Sequence, residues 1–117
     1  MGKITTHVLD IAHGCAAAGV QIELERIEAG RAVPLRSLRT NADGRVDGAV
    51  LEGDALSAGC YRLVFAAGDY FARRGVMLPE PRYVDRIAID FGVAEPGAHY
   101  HVALLVSPWS WTTYRGS

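Results

Sequence analysis

At 117 residues and 50% hydrophobic content, the chain can build one packed core but not two, and it is too apolar to be disordered. A formal net charge of −1 leaves no basic stripe to release counterions from phosphates and no strong pull toward a membrane surface, which argues against nucleic-acid and membrane partners. No apolar run reaches transmembrane length, and Met1-Gly2-Lys3 leads straight into strand-like sequence rather than a signal peptide, so a cytoplasmic protein with a single domain over 1–117 is expected.

Period-2 alternation of apolar and polar residues dominates the chain, the pattern of half-buried strands. The first strand is expected from Ile4 to Asp10, with His7 on the face of Thr5 and Leu9. The glycine-flanked Ala12-His13-Gly14 reads as an exposed loop. Cys15 and Cys60 are too few and too far apart for a disulfide framework or a zinc knuckle, so free thiols are expected. Val20 to Glu25 follows, pointing Val20, Ile22 and Leu24 to one side, and Ala29-Gly30 separates it from a strand over Ala32 to Thr40. Asn41-Ala42-Asp43-Gly44 reads as a tight turn that delivers Arg45 to the start of a strand running to Leu51. After Glu52-Gly53-Asp54 comes a strand from Tyr61 to Ala66. Asp69 to Gly75 breaks the pattern: Asp69 as N-cap, two aromatics and a glycine stop predict a helix of about two turns. Pro79-Glu80-Pro81 must be a loop. Asp85 to Phe91 alternates again, Glu95-Pro96-Gly97 turns, and strands over His99 to Ser107 and Trp111 to Tyr114 close the chain. Eight short strands at this spacing predict an all-β, two-sheet antiparallel sandwich with one short helix.

The four histidines are not equivalent. Lone strand histidines are most often hydrogen-bonded structural residues. Here, however, His99 and His101 share a face of one strand, and imidazole titrates near neutral pH, where it serves as acid or base. These two could instead chelate zinc with His7 and a carboxylate, although no cysteine pair or His-Glu-x-x-His helix supports that. Arg45 and Arg115 are individually ordinary surface arginines; converging on histidines they would form an anion clamp. Chain ends usually fray. Tyr114-Arg115-Gly116-Ser117 instead follows two strand segments, so a phenol, a guanidinium and a hydroxyl would be held on a sheet. No Gly-x-Ser-x-Gly elbow, phosphate loop or dinucleotide fingerprint is present. Trp109, Trp111 and Tyr100 suit a core or an interface, and also a planar ligand.

Taken together, Ile4-Thr5-Thr6-His7-Val8-Leu9-Asp10, Thr40-Asn41-Ala42-Asp43-Gly44-Arg45 and His99 through Ser117 resemble the 5-hydroxyisourate hydrolase family, the transthyretin-like proteins of purine catabolism. The resemblance covers essentially the whole chain, and the closing Tyr-Arg-Gly-Ser is its most specific mark. True transthyretins, the hormone carriers of the same fold, lack that tetrapeptide and the histidine and arginine set. Departures are modest: Ala103 and Ala16 stand where the family commonly has proline, and Trp109 and Trp111 where it often has tyrosine.

The resemblance implies a transthyretin-like sandwich in a homotetramer, with sites shared between subunits. It implies hydrolysis of 5-hydroxyisourate at its N1–C6 amide bond, giving 2-oxo-4-hydroxy-4-carboxy-5-ureidoimidazoline in urate degradation, with no metal or organic cofactor. By matching motif positions, His7, Arg45, His101 and Ser117 are the expected catalytic residues, and Tyr114, Arg115 and Gly116 the expected substrate-binding ones. His99 is left without a role. Two other readings compete: a carrier holding a planar ligand without turning it over, and a generic sandwich interaction domain.

Overall fold

The computed structural model describes residues 1–117. The chain runs β1 (Lys3–Asp10), β2 (Cys15–Ala16), β3 (Gln21–Glu28), β4 (Arg31–Arg39), β5 (Leu51–Glu52), a 3-10 turn (Gly53–Ala55), β6 (Gly59–Ala66), α1 (Ala67–Arg73), β7 (Arg86–Val93), β8 (His99–Val106) and β9 (Trp111–Gly116). The strands form two sheets. One has the order β2-β1-β8-β9 with β5 also on β1, and the other the order β4-β3-β6-β7. Alternation explains the layering. Ile4, Val8, Tyr100, Val102, Leu104 and Val106 point inward from the first sheet and meet Ile22, Leu24, Leu63, Phe65 and Ile87 from the second. Pro34 fits β4 because it is an edge strand, where a missing N–H breaks no ladder on the open side.

Three expectations need correction. The sandwich is not purely antiparallel: β1 and β8 pair in parallel, Thr5 opposite His101 and His7 opposite Ala103. The strand expected from Arg45 to Leu51 does not form. Arg45 makes one isolated antiparallel bridge to His7, and only Leu51–Glu52 joins β1, because the chain turns at Gly48 with φ 75°. The helix starts at Ala67, earlier than Asp69, and its N-cap residue Ala66 offers no side-chain bond. Asp69 lies in the first turn and accepts a 2.6 Å bond from Arg82.

One buried carboxylate ties the helix to the first sheet. Asp10 receives the amides of Ala12 and His13 at 3.0 Å, His13 Nδ1 at 2.6 Å and the Tyr70 hydroxyl at 2.8 Å. Burial pushes the Asp10 carboxyl up, but the Tyr70 and His13 bonds outweigh it and hold it below its ordinary range. The Tyr70 phenol is pushed up to about 12 by burial and by its bond to Asp10. Cys15 and Cys60 are both free thiols.

Candidate active site

The candidate side chains of β1 and β8 sit on the outer face of the first sheet, pointing away from the sandwich core. On β1 the inward residues are Ile4, Thr6, Val8 and Asp10, which leaves Lys3, Thr5, His7 and Leu9 outside. The parallel register sets His99 beside Lys3 and His101 beside Thr5 on the same side. From β9, antiparallel pairing sets Gly116 opposite His101 and Tyr114 opposite Ala103.

Arg45 reaches this face through the Asn41-to-Gly44 turn. The Asn41 side-chain oxygen accepts the amides of Asp43 (2.9 Å) and Arg45 (3.2 Å), and Gly44 N donates to the Asn41 carbonyl at 3.0 Å. Gly44 is required twice over. Its φ is 76°, and a Cβ there would collide with the Val8 carbonyl oxygen. Val8 N closes the contact by donating to Gly44 O at 2.8 Å. The same turn orients His7, whose Nε2 donates to the Asp43 carbonyl at 2.9 Å.

A cavity of about 300 Å³ opens between these groups, lined by Lys3, Thr5, Arg45, His99, His101 and Ser117 among others. His7 borders it through its bridge to Arg45 rather than lining it within one chain. Half-buried His101 is held below the ordinary histidine range by burial first, then by the positive field of Arg45 and by His99 and His7. Gly116 lies flat against the His101 ring: a Cβ there would strike Cδ2 and come within 3.2 Å of Cγ. An imidazole base in the field of Arg45 and beside a second imidazole can deprotonate water, and the guanidinium can hold the negative charge that forms on a carbonyl oxygen.

The tetrapeptide divides between faces. Tyr114 and Gly116 share the face of His101, with Tyr114 57% exposed. Arg115 points the other way. Its guanidinium carbon lies 4.2 Å from the Tyr100 ring centroid, and Nη2 donates to the His99 carbonyl at 3.0 Å. Arg115 therefore lines a second cavity of about 320 Å³ in the gap between β7 and β9, bounded by Ile89, Phe91 and Val102, which Tyr114 also borders. No group of three or more His, Cys, Asp or Glu side chains is disposed to hold a metal ion. Among the lining residues, Lys3 and Thr5 are not singled out by the sequence, and His99 is weighed there but left without a role. Alternation puts Thr5 with His7 in the sequence itself, but only the β1–β8 register brings it to the two histidines of β8.

Known proteins decide the family. The profile of the HIUase/Transthyretin family matches residues 4–116. The chain belongs to this family. A 5-hydroxyisourate hydrolase of Pseudomonas aeruginosa is 52% identical over 117 residues, a match spanning 100% of this chain and 93% of the relative. The structure of Klebsiella pneumoniae 5-hydroxyisourate hydrolase superposes with a TM-score of 0.82 at 38% identity, covering 100% of both chains. Sea bream transthyretin in complex with thyroxine superposes at 0.87 with 25% identity, covering 97% of this chain and 94% of that one. The HIUase/Transthyretin fold thus serves a hydrolase and a thyroxine-binding protein alike, and side chains rather than architecture must separate the two.

Proposed function

We propose that the protein is a 5-hydroxyisourate hydrolase. It opens the N1–C6 amide of 5-hydroxyisourate with water to give 2-oxo-4-hydroxy-4-carboxy-5-ureidoimidazoline, a step of urate degradation. The observation that carries this is the convergence of His101, Arg45 and Ser117 on one cavity, with His7 paired to Arg45 at its edge. A carrier has no use for an imidazole base sharing its cavity with a guanidinium.

In the proposed reaction His101 takes a proton from water as its oxygen bonds to C6. Arg45 stabilises the oxyanion that develops there, and the N1–C6 bond then breaks as N1 recovers the proton. His7, fixed by the Asp43 carbonyl, helps orient the water. Ser117 and Tyr114 hold the ring, and Gly116 gives the His101 ring its room. Arg115 is assigned to the site through the strand end it fastens, by stacking on Tyr100. The outer face that carries these groups also carries exposed Tyr114, and the proposed assembly is a homotetramer in which copies of this face close over one another. A cytoplasmic location goes with this reading, and no helix is long and apolar enough to cross a membrane.

The test is the ultraviolet decay of freshly generated 5-hydroxyisourate. Wild type should outpace spontaneous decay by orders of magnitude. His7→Ala and His101→Ala should each lose about 10²–10⁴ in rate, the range for a general base. A wild-type rate equal to the spontaneous one would end the hydrolase reading.

A further inference from the structure

One side chain of the cavity joins both histidines of β8. Thr5 Oγ1 lies 2.6 Å from His99 Nε2 and 2.7 Å from His101 Nδ1. Both separations are short enough to be hydrogen bonds. A threonine hydroxyl has one proton and two lone pairs, so it can donate to one of the two rings at most. With the hydroxyl proton kept between the rings, the three groups form a chain with two polarities. If Thr5 donates to His101, then His101 carries its proton on Nε2 and has no lone pair left to act as a base. If His101 donates from Nδ1, Thr5 donates onward to His99 Nε2, and His101 Nε2 is free.

We propose that His99 is a positioning residue for the reaction, acting through Thr5 Oγ1 to hold His101 in the tautomer whose Nε2 is unprotonated. The inference rests on His101 being the base in the hydrolase reading. It gives His99 a role that its exposed place at the strand start does not suggest.

The chain also offers the captured proton somewhere to go. When His101 Nε2 takes the water's proton, Nδ1–H can pass to Thr5 Oγ1 while the threonine proton passes to His99 Nε2. One proton shifts at each bond, no electrons are transferred, and the positive charge ends on His99. Burial and the nearby Arg45 and His7 disfavour positive charge on the His101 ring, and His99 sits exposed at the strand start. The charged and titratable groups around the pair are Lys3, paired with His99 across the β1–β8 ladder, Arg45 and His7 on the outer face, and Arg115 on the His99 carbonyl. Protonating His99 beforehand removes the acceptor for the Thr5 proton: both His99 nitrogens become donors, Thr5 is freed to donate to His101 Nδ1, and in that arrangement the base is lost. Acid should thus switch the site off through either ring.

Two measurements on the whole protein test this. In ¹⁵N-histidine-labelled wild type at pH 8, long-range ¹H–¹⁵N correlations should show the His101 proton on Nδ1, with the signal assigned by its loss in His101→Gln. Thr5→Val and His99→Leu should shift that proton to Nε2, while Thr5→Ser retains it on Nδ1. In kinetics, Thr5→Val and His99→Leu should lose about 10²-fold in kcat with KM nearly unchanged. Thr5→Ser should stay close to wild type, and His99→Leu should lose one proton from the steepness of the acid limb. A wild-type His101 protonated on Nε2, or Thr5→Val with wild-type kcat and pH profile, overturns the relay. An inactive wild type would instead end the hydrolase reading, and the tautomer measurement would still decide the relay.

Discussion

Neutral imidazole at His101 is favoured by partial burial and by the positive charge of Arg45, and both effects act on the same proton. A base of this kind must be unprotonated to work, so activity is lost as pH falls through its pKa. With that pKa below the ordinary histidine range, the acid limb of kcat/KM should lie below the limb a free histidine would give. Arg45→Met removes one of the depressing charges, so the limb should move upward toward the ordinary range. The rate itself should fall by about 10²–10³, as when one oxyanion donor is deleted. A pH–rate series on the two proteins checks both, and a downward movement of the limb would contradict the assignment of Arg45 to the field around His101. At the same scale, Arg115 shows that a motif is not a surface. Its neighbours Tyr114 and Gly116 face the site, while period-2 geometry turns Arg115 toward Tyr100.

The Asn41-to-Gly44 turn does for Arg45 what no strand could. A strand over Arg45 to Leu51, the expectation from alternation, would have run Arg45 along a ladder. The turn instead presents it across from His7 for a single bridge and then releases the chain at Gly48. Gly44→Ala should cost about 1–3 kcal/mol, the range for a non-glycine residue forced to positive φ, before any clash with the Val8 carbonyl is added. The same substitution should lower kcat by about 10²-fold by shifting Arg45, since misplacement on the ångström scale is enough. A urea midpoint and a rate on one preparation measure the two together. Unchanged stability would show that the turn relaxes without strain. At β9, Gly116 makes the complementary point: the strand end fits against His101 because it lacks a side chain.

For the molecule as a whole, both sheets end on open strands on the same side of the sandwich, β7 in one and β9 in the other. Near them Trp109, Trp111 and Tyr114 are 60%, 42% and 57% exposed. That much aromatic surface beside two unpaired edges suits contact with further copies. Analytical ultracentrifugation at micromolar concentration should return four times the chain mass. A stable monomer would remove the shared-site part of the proposed function while leaving the single-chain geometry of His101, Thr5 and His99 intact.

The sequence by itself determined the faces. Alternation marks Ile4, Val8, Ile22, Leu24, Ile87 and Ile89 as inward and sets Thr5 with His7, and His99 with His101, because consecutive strand side chains point to opposite sides. It also marked the Asp-Gly turn before Arg45 and the terminal tetrapeptide, since both are local. Only the tertiary structure decided that β1 lies parallel to β8 and in which register, because strand partners are chosen by burial across the whole sandwich, far from the residues concerned. That register brings Thr5 between two histidines lying 94 and 96 residues further along the chain. The loss of the strand after Arg45 and the early start of the helix were settled the same way: Gly48 turns the chain, and Asp69 finds a partner in Arg82 rather than in the helix's own amides.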